Sequence, residues 1–432
     1  MAGTDETIYG RPAAAIKPGS AFGPFRWPVF RSIWFANLSS ALGSMIQMTA
    51  AAWLMTELTS SHLLVALVQA SVTIPVLLLG IFAGVIADNY DRRKVMLIAN
   101  SGMLVLSAVL AVMAWTDSLG PWSLLAFTLA IGAGFALNGP SWQASVRMMV
   151  PREDLSQAIS LNTIAYNTAR SVGPAIGGVL LSIWGPSTAF TVNAVSYVAL
   201  IVILLRWHPP QVARKVRDRV GAAISAGLRF AASSSTVRRV LVRALAFGIG
   251  AIAFQALLPL VAREQLAGTE IGFGLMFGAF GVGSVITAVW IAKARRRYGP
   301  EAIVTGATIV AALAVALLGF APSIGVAMAA GFLAGCGHVA ALTSLNVSIQ
   351  VRSPDELLGR ILSIYQAMIF GGMAIGAAVW GTLSDIIGIR MALVGAAGWL
   401  LVSLAILRFY APMPRIGEGS VPITAPPPEE PV

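Results

Sequence analysis

Long stretches without a charged residue alternate with short charged segments along most of the chain. These stretches cover residues 32–56, 58–87, 95–116, 118–146, 171–205, 244–262, 271–292, 302–351, 361–384 and 391–407. A helix needs about 20 mainly apolar residues to cross the hydrocarbon of a bilayer, because its backbone amides must be satisfied internally there. Two stretches are too long for one crossing, and Gly185-Pro186 and 321–323 divide them, since Gly and Pro interrupt helices. The pattern predicts twelve membrane-spanning helices, which we number as spans 1 to 12.

The distribution of Lys and Arg between the loops predicts the orientation of the chain in the membrane. An even number of spans places both termini on one side, and the positive-inside rule assigns the loops rich in Lys and Arg to the cytoplasm. The loops after spans 2, 4, 6, 8 and 10 carry nearly all of the loop cations, whereas the opposite set contributes only Arg263 and Arg390. We therefore predict a multi-pass protein of a bacterial-type cytoplasmic (inner) membrane, with both termini cytoplasmic.

Composition excludes several other classes of protein. The chain is 57% hydrophobic and 11% charged, against roughly one quarter charged residues in soluble domains. The net charge of +11 is spread over membrane-proximal loops rather than gathered on one soluble face, so we expect no nucleic-acid partner. Cys336 is the single cysteine, which excludes an intramolecular disulfide. No metal site and no cofactor are predicted.

An internal repeat divides the chain into two halves. Residues 150–160 align with residues 353–363 when shifted by 203 positions, and the same shift carries Gly173 to Gly376 and Gly185 to Gly388. Parallel repeats of this kind place a substrate path between the halves. The predicted division is a cytoplasmic N-terminal tail (1–30), an N-terminal six-helix half (31–206), a cytoplasmic basic linker (207–239), a C-terminal six-helix half (240–411) and a disordered, Pro-rich C-terminal tail (412–432).

The segment GVIADNYDRRK, from Gly84 to Lys94, carries a family resemblance. Its Gly84, Asp88, Arg92 and Arg93 match the signature of the major facilitator superfamily, while Asn89 and Asp91 depart from it. Together with the segments Phe30 to Ser61, Pro151 to Gly178 and Leu258 to Ser284, it resembles the siderophore-exporter-like and macrolide-efflux-like branch of that superfamily. The resemblance implies an all-α integral membrane protein with twelve transmembrane helices in two parallel-related six-helix halves.

The glycines before Asp88 suggest a switch at the cytoplasmic end of span 2. Gly80, Gly84 and Asp88 recur every four residues, so they share one smooth helix face that ends in a carboxylate. By the resemblance, this cluster with Arg92 and Arg93 latches the two halves together on the cytoplasmic side. Simple charge anchoring is the alternative interpretation. As a facing groove we predict the surface of span 11 at Gly372 and Gly376.

A second motif, GPAIGG, lies in span 5. It combines a helix-kinking proline, Pro174, with Gly173, Gly177 and Gly178, which allow a neighbouring helix to approach closely. The superfamily associates this pattern with exporters that exchange their substrate for another solute. It therefore favours export over uptake.

Arg170, near the middle of span 5, is the sharpest chemical clue. A cation at that depth costs several kcal/mol unless it faces water or a partner. It either attracts an anion or responds to protons in a central cavity, or it caps helix carbonyls freed near Pro174. Further candidates for cavity or coupling roles are Asn167, Gln47, Asn138, Gln143, Gln255, His338, Asn346 and Gln366. Hydrogen bonding between helices is the alternative for the amides, and packing for His338.

The function predicted from these features is secondary active transport, and the protein is not expected to be an enzyme. We expect a monomeric, proton-coupled exporter of a small amphipathic organic molecule, a drug or siderophore-like compound, that works by alternating access in the lipid bilayer. No GxxxxGK[ST] sequence is present, which disfavours ATP-driven transport by this chain. An uptake symporter of the same fold is the alternative, and a membrane-embedded enzyme or a transport-inactive sensor is more remote. The edge acids Glu57, Glu264, Glu270 and Asp385 either relay protons or are merely solvated helix ends.

Overall fold

The computed structural model describes residues 20, 22–207, 209, 220–354 and 357–413, without the side chains of 81, 87–89, 220–224 and 226. Its single-crossing helices are span 1, Pro28–Leu58; span 2, His62–Asn89; span 3, Arg92–Trp115; span 4, Pro121–Val146; span 7, Ser235–Leu260; span 10, Ile324–Arg352; span 11, Leu358–Ile387; and span 12, Ile389–Tyr410. Two longer helical runs, Arg152–Arg206 and Glu270–Gly319, contain spans 5 and 6 and spans 8 and 9. A 3-10 helix, Gly23–Arg26, precedes span 1, a linker helix, Val220–Ser233, precedes span 7, and a π-helical turn, Val261–Gln265, follows span 7.

Glycines with positive φ divide the two long helical runs. Within the described residues, nine helices are long and apolar enough to cross a membrane, and two of them are these runs. Gly185 (φ 77°) separates spans 5 and 6, and Gly299 (φ 80°) separates spans 8 and 9. Glycine adopts such a φ without steric cost, and the proline that follows each one cannot continue the helix. With span 1, which has 31 residues, the chain makes twelve crossings, as predicted.

The internal repeat is visible in the backbone and in the packing. Gly388 (φ 84°) turns the chain between spans 11 and 12 just as Gly185 does between spans 5 and 6, at the predicted offset. Gly173 packs against span 1, and its counterpart Gly376 packs against span 7, the corresponding helix of the other half. Two parallel-related six-helix halves are therefore confirmed.

The buried apolar residues show where the halves meet. The larger core cluster contains residues of both halves, among them Trp53 and Met55 of span 1 with Phe273 and Met276 of span 8. A second cluster, which includes Phe30, gathers residues from the cytoplasmic ends of spans 1, 3, 4, 5 and 6, all of them in the N-terminal half. The N-terminal half therefore shares a core with the C-terminal half through its extracellular part. The cytoplasmic end of the N-terminal half has a separate core of its own.

A buried carboxylate fastens the segment before span 1 to the start of span 5. Asp154 is fully buried and accepts hydrogen bonds from Arg26 Nε and Trp27 Nε1, both at 3.0 Å. The last residues of the predicted N-terminal tail are thus part of the folded N-terminal half. Residues 1–19, most of the linker between 208 and 219, and the C-terminal tail from 414 lie outside the described residues, so the proposed boundaries remain predictions.

Candidate functional site

The start of span 3 explains one departure from the family signature. Asp91, which stands where the signature has glycine, is the N-cap of span 3 and accepts hydrogen bonds from the backbone amides of Arg93 and Lys94. Arg93 Nε donates to the Leu204 carbonyl at 2.7 Å, and Arg92 Nη1 donates to the Ala144 carbonyl at 3.3 Å. These contacts of the two arginines brace helices of their own half.

The glycine face of span 2 lies open in this conformation. Apart from the adjacent backbone of span 2 itself, no described atom comes within 4 Å of the Cβ position at Gly84. At Gly80 the one such atom is Val76 Cγ1, at 3.9 Å on the same helix. The Asp88 side chain lies outside the described residues, although its backbone belongs to the last turn of span 2. The cytoplasmic latch stays a prediction.

The predicted groove on span 11 is wrong. A Cβ atom at Gly372 would lie 2.5 Å from the Leu245 carbonyl oxygen, and one at Gly376 would meet the Ile249 carbonyl. Both glycines therefore pack against span 7 of their own half. Their spacing could be read from the sequence, whereas the rotation of the helix that carries them could not.

The GPAIGG motif packs on two neighbours at once. Gly173 and Gly177 face span 1, with the Gly177 Cβ position 3.3 Å from Ile46 Cα. Gly178 faces span 8 of the other half, where a Cβ atom would lie 2.5 Å from the Glu270 carbonyl oxygen. A Cβ atom at Gly274 of span 8 would lie 2.6 Å from the Pro174 carbonyl oxygen. The motif thus forms the extracellular part of a seam between the two halves.

Arg170 lies where this seam opens. Gly281 of span 8 is in close contact with the backbone at Arg170, whereas Asn167, one turn nearer the cytoplasm, donates to the Thr163 carbonyl on an exposed stretch of helix. The Arg170 guanidinium carbon lies 5.1 Å from the ring centroid of Phe280, a cation–π contact between halves. Among the described residues it has no hydrogen-bond or carboxylate partner, so capping of carbonyls near Pro174 gains no support.

A cluster of aromatic rings surrounds the Arg170 contact. Phe273, Phe277 and Phe280 follow one face of span 8, and Phe273 stacks on Trp53 of span 1 at 5.8 Å between centroids. His338, 3% exposed, lies 5.4 Å from the Phe280 ring, and its Nδ1 has no hydrogen-bond partner in the described chain. These phenylalanines are not among the residues predicted from the sequence, although their spacing of four and three residues indicates a shared helix face.

Three of the six remaining amide candidates accept hydrogen bonds from nearby polar groups. Gln47 Oε1 accepts from Asn193 Nδ2 at 2.6 Å and from Ser107 Oγ at 3.0 Å, joining spans 1, 3 and 6. Asn138 Oδ1 accepts from Asn100 Nδ2 at 3.0 Å, and Asn346 Oδ1 accepts from Gln350. This geometry favours the interhelical alternative for Gln47 and Asn138. Gln255 is buried, Gln366 is half-buried and Gln143 is exposed, with no hydrogen bond to a described residue, and their cavity roles stay predictions.

The extracellular ends of the halves are joined by polar contacts. Asp385, at the end of span 11, accepts hydrogen bonds from the backbone amides of His62 and Leu63 at 2.7 and 3.0 Å. Arg263 Nη1 donates to Thr56 Oγ1 at 2.9 Å, and His62 Nε2 lies 3.2 Å from Glu264 Oε1. The conformation is therefore closed on its extracellular side.

The chain has two repeated six-helix halves, and they meet along helix seams that open at the mid-membrane cation Arg170. This architecture is that of a secondary transporter with the major facilitator fold. A family model described as transmembrane secretion effector matches residues 19–430. The chain belongs to this family, and it is a membrane transporter rather than an enzyme.

Comparisons with known proteins agree with this assignment. The chain is 28% identical over 413 residues to the enterobactin exporter EntS of Shigella boydii serotype 4 (strain Sb227), covering 92% of this chain and 95% of that protein. Its fold matches a POT family transporter in complex with 5-aminolevulinic acid (TM-score 0.74, 13% identity, 92% of this chain and 98% of that one). It also matches a bacterial homologue of the human lysosomal transporter Spinster in an inward-facing, unoccupied conformation (TM-score 0.71, 13% identity, 88% and 95%).

Proposed function

We propose that this transporter exports a small amphipathic organic molecule, a drug or siderophore-like compound, across a bacterial-type inner membrane in exchange for protons. The observation that carries the proposal is Arg170, a mid-membrane cation that lies over the Phe280 ring where the seam opens. Such a cation is stabilised by an anionic group. The neighbouring aromatic rings suit the apolar part of the same molecule.

Two observations support the outward direction. The exporter-like motif from Gly173 to Gly178 lies in the extracellular part of the seam between spans 5 and 8. Its close backbone contacts there affect how tightly the two halves close. The EntS relative, which aligns over nearly the whole chain, is an enterobactin exporter. A siderophore-like substrate is therefore the first class of molecule to test.

The mechanism we propose is rocking of residues 31–206 against residues 240–411 within a monomer. In the outward-facing form the cytoplasmic ends close, and Asp88 with its glycine face holds them together. In the present form that face is open and the extracellular ends are joined instead. The substrate enters from the cytoplasm beside Asn167 and Arg170 and leaves when the extracellular contacts separate.

Complementation tests this proposal with a defined compound. The chain is produced in a bacterial strain that lacks its own enterobactin exporter, and enterobactin is measured in the medium and in the cells. We expect more enterobactin outside and less inside than in the vector control, and loss of the gain with Arg170→Ala at equal protein level. A rise inside the cells would instead identify an uptake symporter.

Inverted membrane vesicles then establish the coupling. In these vesicles the former extracellular face lies inside, so an exporter driven by protons accumulates substrate when the lumen is acidic. We expect accumulation that an uncoupler abolishes. Accumulation that is unaffected by the uncoupler would contradict proton exchange.

A further inference from the structure

The closure at the extracellular end is built on the N-terminus of span 2. The first amides of a helix lack partners within it, and a carboxylate placed there satisfies them and favours the helix dipole. Asp385 accepts from the amides of His62 and Leu63 and, at 3.4 Å, from the Ser61 hydroxyl, while Ser61 Oγ accepts from the Leu64 amide. A carboxylate of the C-terminal half thus caps a helix of the N-terminal half.

The His62 side chain lies between two carboxylates of the C-terminal half. Its Nε2 lies 3.2 Å from Glu264 Oε1 and its Nδ1 lies 3.8 Å from Asp385 Oδ1, and the side chain is only 16% exposed. The Nδ1 atom is buried and has no hydrogen-bond partner among the described residues. Both ring nitrogens therefore face acceptor oxygens.

This arrangement fits a protonated imidazole better than a neutral one. A neutral imidazole carries one N–H and one lone pair, so either tautomer directs a lone pair at a carboxylate oxygen. The imidazolium carries an N–H on each nitrogen, so it can donate to Glu264 at 3.2 Å and its charge also attracts Asp385 at 3.8 Å. A proton is the ligand that completes the contact.

Three of the other charged side chains at this edge, Glu57, Arg263 and Arg390, have partners of their own. Glu57 accepts from Trp53 Nε1 at 3.0 Å, and Arg263 donates to Thr56. Arg390 donates to the Gly319 carbonyl, and Glu270 is the first residue of span 8. Of the described charged residues, Asp385 and Glu264 are the ones that lie within 4 Å of His62 as ion pairs.

We propose that His62, Asp385 and Glu264 form an extracellular proton-binding site, and that binding of a proton at His62 closes the extracellular end of the transporter. When the halves separate, His62 leaves both acids, so the open form binds the proton more weakly. By linkage, a ligand that binds the closed form more tightly than the open form stabilises the closed form, so a high extracellular proton concentration favours closure. The inference deepens the proposed proton exchange, since protonation from outside would return the emptied exporter to the form that loads from the cytoplasm.

The proton-binding site also mirrors the predicted cytoplasmic latch. Spans 2 and 11 run antiparallel, with Gly381 against Leu63 and Gly371 against Leu77. The start of span 2 therefore lies near the end of span 11, and the opposite ends of the two helices are the ones that would meet when the cytoplasmic side closes. Asp385 joins the two halves at the extracellular end, as the resemblance implies that Asp88 does at the cytoplasmic end. His62 adds a titratable group to the extracellular contact alone.

Distance measurement across the extracellular mouth tests the proposal without substrate. Spin labels are placed at Ser118→Cys and Ser323→Cys, in the two halves, on a Cys336→Ser background, and the protein in lipid nanodiscs is measured at about pH 5.5 and about pH 8, either side of the usual His range. We expect the ratio of closed to open forms to rise several-fold at about pH 5.5 relative to about pH 8. His62→Gln, which keeps the backbone cap, should abolish the pH dependence.

Matched variants separate this site from other acids at the same edge. Glu57→Gln removes a charge from the same edge and should leave the pH dependence intact, whereas Asp385→Asn should weaken closure at both pH values. A wild-type distance that does not change with pH, or an unchanged dependence in His62→Gln, would overturn the proposal. The distance measurement uses no substrate, so the two proposals are tested independently. A distance that does not respond to pH would overturn the proton-binding site without bearing on export. A failed export assay would overturn the proposed export without bearing on the distance measurement.

Discussion

Replacing Gly274 by alanine is expected to open the extracellular seam. A Cβ atom at this position would lie 2.6 Å from the Pro174 carbonyl oxygen and 3.0 Å from Gly178 Cα. Both atoms belong to the backbone of span 5, so no side chain can rotate away. Ordinary contact begins at 3.4 Å, and the two spans must therefore separate by about 0.8 Å at the carbonyl.

The size of the effect follows from the cost of overpacking. Extra methyl groups in tight contacts cost about 1–3 kcal/mol. A form in which spans 5 and 8 have already separated at this end does not bear that cost. The ratio of extracellularly open to closed forms should therefore rise by roughly 5- to 150-fold, and Gly274→Val should shift it further.

The spin-label pair at positions 118 and 323 measures this shift directly. Gly102→Ala is the matched control, since no described atom beyond the adjacent backbone of its own helix lies within 4 Å of the Cβ position at Gly102. This variant should leave the distance distribution unchanged. A folded Gly274→Ala protein with the distances of the parent would refute the assignment of this contact to the closing seam.

Three further substitutions probe other parts of the molecule. Asp88→Asn should leave membrane insertion intact and depress transport, and unchanged turnover in vesicles would count against the latch. Arg170→Lys should retain part of the substrate affinity that Arg170→Ala loses, measured as KM at equal folded yield, whereas loss of yield before any change in KM would indicate a structural role. Asp154→Ala leaves Arg26 and Trp27 without their buried acceptor and should destabilise the fold by about 3 kcal/mol; an unchanged melting temperature in detergent would contradict this.

The topology could be predicted because it depends on properties that are local in the sequence. Charge-free stretches of sufficient length predict the membrane crossings, and Gly185-Pro186 divides one stretch that is too long for a single crossing. The concentration of Lys and Arg in alternate loops predicts the orientation of the chain in the membrane. The offset of 203 residues aligned Gly185 with Gly388, and the structure gives both residues a positive φ. These features needed no knowledge of how one helix is rotated against another.

Helix rotation is what the sequence could not provide. Gly372 was expected to face span 2 and instead packs on span 7. Gln47 was a cavity candidate, yet it bonds to Asn193, far from it in the sequence. His62 attracted no notice because its acidic neighbours, Glu264 and Asp385, come from the other half of the chain. Contacts between the halves arise only when all twelve helices are assembled.

The central claim, outward transport of a small amphipathic molecule, is tested most directly in the native host. Cells with and without the gene are compared by mass spectrometry of cell extracts and culture medium, with the gene restored as control. We predict that deletion raises the cellular content of at least one such compound and lowers its amount in the medium, and that the restored gene reverses both changes. A compound that instead falls inside the cells on deletion, and rises on expression, would contradict export.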